Sequence, residues 1–228
     1  MIRKTIILLT LVFATSLLTR AAGPEKRWWH YDFSEAIGPE WEYIQQPDSS
    51  MYRVYKGCLQ LATSSSSLSS KDSPTFVGRC QETRTFQLDT KMKFEHSMAG
   101  DEAGLTVYHM PDVHSEVYLQ NLRGEKRVKM RYTLKNLRQV AAEKHLGFID
   151  EVWLRVKCDG KYYSFFYSTD GKKYHWLERI DSSLMLGAVA PSAVYNDIRL
   201  GMYAWKGGTQ YAAGVTWASF DFLDYREL

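Results

Sequence analysis

The sequence predicts an all-β protein, a two-sheet β-sandwich of jelly-roll type. Three observations carry that reading. Apolar and polar residues alternate with period two in segment after segment. Gly and Asp-Gly turn signals punctuate them. Aromatic residues reach 14% of the 228-residue chain, with 10 Phe, 7 Trp and 15 Tyr, a composition that suits pleated sheets and ring-binding surfaces.

The elements follow in order. Tyr52-Arg53-Val54 and Gly57-Cys58-Leu59-Gln60-Leu61 are short and extended, and Ser64 to Ser70 is a serine-rich loop. Thr85 to Phe94 alternates cleanly, as do Gly104–Tyr108, Glu116–Gln120, Arg127–Tyr132 and Val152–Val156. Asp159-Gly160 joins the last of these to Tyr162–Ser168, a strong hairpin signal. Asp170-Gly171 makes the next turn, before Tyr174–Leu177, and Arg199–Ala204 and Thr216–Phe222 close the series. Lys135–Leu146 invites a helix, but Leu137, Val140 and Leu146 make no wide apolar stripe and no cap precedes them. Arg138–Ala142 is therefore read as one more strand. No repeat of fixed period appears, which argues against a propeller or solenoid.

Residues 1–21 have a basic start, an apolar run from Thr5 to Leu18 and the small-x-small end Thr19-Arg20-Ala21. Those are the three parts of a secretory signal. The run of about 14 residues falls short of the roughly 20 that span a bilayer, and no later segment is apolar enough to span one. The expectation is an exported protein, periplasmic or extracellular, cut near Ala21, with residues 22–228 forming one sandwich domain. The formal charge of +3 belongs to that leader. A cut after Ala21 removes Arg3, Lys4 and Arg20 and no acid, so the remaining basic residues match the 26 acidic ones. The mature chain is neutral and lacks the electrostatic footprint of nucleic-acid binding. In an exported protein Cys58 and Cys80, in consecutive strand-like segments, are candidates for a disulfide, with Cys158 left over.

Alternation divides the strands into two faces. Leu105, Val107, Val117, Leu119, Val128, Met130, Val152, Leu154, Val156, Leu200 and Met202 point inward. The opposite face carries Thr106, Tyr108, Glu116, Tyr118, Gln120, Arg127, Lys129, Arg131, Trp153, Arg155, Arg199 and Tyr203. Flat rings mixed with Arg and Glu suit a glycan, which offers CH faces for stacking and hydroxyls for bidentate bonds. The same mixture also serves as a solvated sheet face or one covered by a partner. The candidate contact set is Tyr108, Glu116, Tyr118, Trp153, Arg155 and Tyr203, with Arg131 and Arg199 as donors.

The order of motifs resembles one known module. Asp32-Phe33, Gly38-Pro39-Glu40-Trp41, Gly57-x-Leu59-x-Leu61, Ala103-Gly104-Leu105-Thr106-Val107-Tyr108, Tyr163-x-Phe165-x-Tyr167-Ser168-x-Asp170-Gly171 and Phe220-Asp221-Phe222-x-x-Tyr225 together resemble the concanavalin A-like C-terminal domain of family-43 glycoside hydrolases, the β-xylosidase and arabinofuranosidase group. The resemblance runs from about Asp32 to Tyr225. It implies a lectin-like jelly roll that in those enzymes packs on a five-bladed propeller holding the catalytic carboxylates. It also implies a loop, often bearing Phe, that helps to close the substrate pocket. The 228 residues leave no room for the propeller, and the matching strand here reads Asp197-Ile198-Arg199-Leu200-Gly201, without Phe.

A glycosidase needs two carboxylates about 5–9.5 Å apart on a rigid site. Glu116 with Asp101 or Glu102 is the pair nearest the candidate face. No Glu-x-Asp-x-x-Glu strand, Gly-x-Ser-x-Gly elbow or metal-ligand His pair occurs. Asp32 and Asp221, in matching Asp-Phe positions at the two ends, are candidates for a structural calcium ion, the one cofactor considered. The favoured reading is a non-catalytic exported lectin-like sandwich that binds a polysaccharide or glycan or helps an enzyme process it. The alternatives are a small glycoside hydrolase using Glu116, and an interaction module that docks a separate glycoside hydrolase subunit.

Overall fold

The computed structural model describes residues 26–186, 194–207 and 214–228; the expected leader lies outside them. In chain order the strands are β1 (Trp28–Tyr31), β2 (Tyr52–Tyr55), β3 (Cys58–Ala62), β4 (Thr75–Cys80), β5 (Thr85–Lys93), β6 (Glu102–Met110) and β7 (Val113–Leu122). They continue with β8 (Glu125–Leu134), β9 (Leu137–Gly147), β10 (Glu151–Asp159), β11 (Tyr162–Ser168) and β12 (His175–Asp181). One helical turn, α1 (Ser182–Leu186), precedes β13 (Arg199–Trp205) and β14 (Trp217–Glu227). Leu137–Gly147 is strand, as the poor apolar stripe of Lys135–Leu146 indicated, and β9 extends beyond the core segment expected.

Two antiparallel sheets form the sandwich. One runs β12-β11-β10-β5-β14-β3-β2, with β1 paired to β14; the other runs β4-β13-β6-β7-β8-β9. Tight hairpins hold the register. Lys56-Gly57 and Arg123-Gly124 each place two consecutive residues at positive φ, the backbone of turns whose twist matches the flanking strands. At the Asp159-Gly160 turn the Asp159 carboxylate accepts hydrogen bonds from the Lys161 and Tyr162 amides at 2.8 and 2.7 Å. At Asp170-Gly171 the Asp170 carboxylate accepts from Lys172 and Lys173. These amide bonds and the Ser168 hydroxyl lower its pKa to about 2.

The core lies between the sheets. All eleven residues assigned inward by alternation are fully buried, each side chain contributing roughly 1.5–3 kcal/mol by leaving water. Tyr225 closes one end. Its ring stacks between Trp29 and Phe86, with centroids 5.0 and 5.3 Å away, and its hydroxyl accepts from the Thr83 amide at 2.9 Å. The tyrosine of the terminal Phe-Asp-Phe-x-x-Tyr pattern thereby ties β14 to β1 and β5.

The candidate Cys58–Cys80 pairing is not made. All three cysteines are free, and the Cys58 and Cys80 thiols point out of opposite faces of the sandwich, from the eight-stranded and the six-stranded sheet. The Cys58 thiol donates to Asp221 at 3.4 Å and the Cys80 thiol to Glu42 at 2.9 Å. Thiol titration in denaturant without reductant is expected to count three thiols.

At Gly104 the strands approach closely. A Cβ there would stand 2.6 Å from the Tyr118 Cα and press on the Val117 carbonyl. Gly104→Ala is expected to cost about 1–3 kcal/mol by overpacking, read from urea denaturation at unchanged secondary structure.

Candidate functional site

Strand register sorts the candidate residues by sheet. On the outer face of the six-stranded sheet, β13, β6, β7 and β8 set Arg199, Tyr108, His114 and Thr133 side by side. The next row is Gly201, Thr106, Glu116 and Arg131, and the one after is Tyr203, Gly104, Tyr118 and Lys129. Six of the eight expected contact residues therefore share one face: Tyr108, Glu116, Tyr118, Arg131, Arg199 and Tyr203.

That face is covered. Ile44 and Leu68 pack against Phe76, Tyr108, Tyr118 and Tyr203, with Trp205 at the margin. Backbone bridges of Glu42 to Gly78 and of Ser64 to Trp205 tie the chain on either side of these residues to the sheet margin. Beneath this cover lies a charged triad. The Arg131 guanidinium donates through Nε to Glu116 and through Nη2 to Glu102 at 2.9 Å, and through Nη1 to the Tyr118 hydroxyl at 3.2 Å. Its carbon sits 4.4 Å from the Tyr118 ring centroid. Exposure of Arg131 is 5%, of Glu116 1% and of Glu102 2%. Burial opposes charge on both acids. For Glu116 it is outweighed by Arg131 and His114, which hold the carboxyl below its ordinary range; for Glu102 burial prevails and the pKa is raised. The Tyr203 hydroxyl, also buried, has no hydrogen-bond partner among the described residues. Arg199 is occupied too, donating to Glu42 at 2.7 Å.

Trp153 and Arg155 are elsewhere. Both lie on β10, in the eight-stranded sheet, and face outward on the opposite side of the sandwich. The single contact face expected from alternation is thus two faces, because the pleat separates inward from outward without saying which sheet a strand joins. Here the side chains are partly accessible. Arg155 donates to both oxygens of Asp89, with Nη2 at 3.2 Å, and stacks 3.4 Å from the Tyr174 ring centroid. Lys91 bridges Glu151 and Asp221 at 2.9 and 3.0 Å and lies 5.2 Å from the Trp153 ring. The Asp170-Gly171 turn rests against the same indole, where a Cβ at Gly171 would meet Cε2 at 2.8 Å. Phe166 stands directly across from Arg155, and Trp176 across from Phe166.

Comparison with known proteins places this geometry. Residues 30–226 match the β-xylosidase C-terminal concanavalin A-like domain. The chain belongs to that family. A non-reducing-end α-L-arabinofuranosidase of Bacteroides ovatus is 27% identical over 201 residues, covering 84% of this chain and 36% of that enzyme. Among solved structures, a family-43 glycoside hydrolase of Bacillus licheniformis superposes with a TM-score of 0.78 at 22% identity. A xylan β-1,4-xylosidase of Bacillus halodurans gives 0.75 at 19%. Each of the two alignments covers 87% of this chain and 39% of the other. The chain spans little more than a third of the length of these relatives.

Within this concanavalin A-like domain the remaining candidates fall as follows. Asp32 accepts from the amide and hydroxyl of Ser34, and Asp221 is held by the Lys91 ammonium and the Cys58 thiol. With a lysine already neutralising Asp221, the pair does not fit a calcium ion, and no group of three or more metal-ligating side chains occurs among the described residues. Asp101 caps its own turn, accepting from the Met98 amide at 2.8 Å. Sequence reasoning missed Phe166, Tyr174 and Asp89 as neighbours of Arg155. Alternation in Thr85–Phe94 was visible, but the β5–β10 pairing that brings Asp89 to Arg155 was not.

Two outcomes test this geometry. Arg131→Met is expected to cost about 3–5 kcal/mol in denaturant unfolding, because two buried carboxylates lose their counter-charge. His114 is buried, and burial lowers its pKa below the ordinary 6.5 despite Glu116, with Nε2 3.6 Å from that carboxylate. Below pH 6.5 the unfolded chain takes up a proton that the folded one refuses. Its contribution is therefore complete above pH 6.5 and lost as pH falls toward the lowered value. The melting temperature of His114→Gln is expected to decline less than that of the wild type between pH 7.5 and 5.5.

Proposed function

We propose that this protein is a non-catalytic, exported carbohydrate-binding sandwich that works with polysaccharide processing, and that it binds glycan on the outer face of the eight-stranded sheet. One observation carries the reading. That face keeps the rings of Trp153, Phe166, Tyr174 and Trp176 accessible beside fixed polar groups of Arg155, Asp89 and Lys91, whereas the counterpart face is sealed. Rings supply stacking platforms, and the held carboxylate and guanidinium offer hydroxyl partners without a large ordering cost. Kinship with enzymes named for arabinofuranosides and xylan supports arabinose- and xylose-containing polysaccharides as ligands.

Hydrolysis by Glu116 is disfavoured on chemical grounds. Both acids that converge, Glu102 and Glu116, are bound to one guanidinium under an apolar cover, so neither is placed to meet a glycosidic oxygen and a water. A docking role is the second reading, favoured by relatives that carry this domain inside chains far longer than this one.

Binding to xylan, arabinan, pectin and host glycans separates these readings. Retention on xylan or arabinan is expected, weakened about tenfold by Trp153→Ala, roughly 1.4 kcal/mol, and unchanged by Glu116→Gln in protein that still folds. Silence across the panel, with a stable gel-filtration complex with a family-43 propeller lacking its own sandwich, would favour docking. Turnover of an aryl glycoside abolished by Glu116→Gln would establish the enzyme.

A further inference from the structure

One row on the outer face of the eight-stranded sheet differs from its neighbours in charge. Around Trp153 and Arg155 the cations are neutralised: Arg155 by Asp89, and Lys91 by Glu151 and Asp221. One step along the strands, β10, β5 and β14 set Lys157, Gln87 and Arg226 directly opposite one another. Ser164 on β11 stands beside Lys157, and Trp28 on β1 beside Arg226. Among the described residues neither Lys157 nor Arg226 makes an ion pair. The nearest aromatic contact of the Lys157 ammonium is the Phe166 ring, 5.9 Å away. Burial together with Arg155 and Arg226 lowers the Lys157 pKa, with Asp89 opposing. A charge that the fold leaves under like-signed pressure is relieved by an incoming anion.

Gln87, between the two cations, is 1% exposed. Its amide nitrogen donates to Asp89, which fixes its orientation, so it neutralises neither cation. Rings bound the row on both sides: Phe166 near Lys157, and Trp28, 67% exposed, at the far end. From β1 to β10 the row crosses three strand spacings, about 14 Å, room for a short oligosaccharide.

We propose that this row is a subsite for the carboxylate of an acidic sugar, a uronic-acid residue within the bound polysaccharide. Lys157 and Arg226 flank the carboxylate, and Phe166 and Trp28 take the apolar faces of the chain. The inference rests on the reading that this face binds glycan, and it names the class of sugar.

The test uses calorimetry with a xylo-oligosaccharide bearing one glucuronic acid substituent, and the same oligosaccharide after reduction of its carboxyl to an alcohol. The acidic ligand is expected to bind at least tenfold more tightly at low salt, with the advantage shrinking as salt rises. In Lys157→Gln/Arg226→Gln, with an unchanged melting temperature, the two ligands are expected to bind alike, at the affinity the wild type shows for the reduced one. Equal affinity of the wild type for both ligands would overturn the subsite while leaving glycan binding intact. Equal loss of both ligands in the double variant would show a general rather than carboxylate-specific role and would also overturn it. Binding of neither ligand would overturn the subsite and the glycan reading together.

Discussion

A guanidinium buried beneath aromatic rings has to be neutralised where it lies. Arg131 meets that requirement with two carboxylates from neighbouring strands, Glu116 on β7 and Glu102 on β6, and with the Tyr118 hydroxyl. Leaving any of the three charges unmatched would cost several kcal/mol, so the strands that carry them are held in one register. The same pairing consumes the polar capacity of the face. Ile44 and Leu68 can then pack over it, because the charges beneath are already matched. The outer surface of the six-stranded sheet becomes a second core, and the outer face of the other sheet stays partly accessible.

The eight-stranded sheet solves the opposite problem. Its outer rows are only partly covered, and their charges are paired across strands at the surface, where each exposed pair adds little stability. What such pairs add is fixed geometry. Arg155 is held between Asp89 and the Tyr174 ring, and Lys91 between two acids and the Trp153 ring. Rigid rings beside oriented polar groups suit a ligand that is apolar on its faces and hydroxylated at its edges. The row through Lys157 and Arg226 lacks such internal pairing, which is why it stands apart chemically from the rows beside it.

Much of the fold was legible in the sequence because its signals are local. Period two placed Leu105, Val107, Val117 and Leu119 inward, and Asp-Gly turns located the β10–β11 and β11–β12 connections. β1, an unbroken aromatic run Trp28-Trp29-His30-Tyr31, gave no alternation to read. The site was legible only in part. Alternation distinguishes the two sides of a strand but not the two sheets of a sandwich, so Trp153 and Arg155 were grouped with Tyr118 and Tyr203, which lie on the far side. Nor does it show what covers a sheet: the burial of Glu116 and Arg131 follows from long-range packing of Ile44 and Leu68. Whether Cys58 and Cys80 pair was open for the same reason: their thiols point out of opposite faces, on Asp221 and Glu42.

One side of the sandwich is closed by packing, and the proposed glycan site lies on the other. A crystal structure of the protein soaked with an arabinoxylan oligosaccharide tests it most directly. Sugar density is expected on the eight-stranded sheet, against Trp153 and Phe166 and within hydrogen-bond reach of Arg155 or Asp89, with the Glu102–Arg131–Glu116 triad unchanged. Sugar bound over the six-stranded sheet, with Trp205 displaced and Glu116 in contact with a glycosidic oxygen, would contradict it.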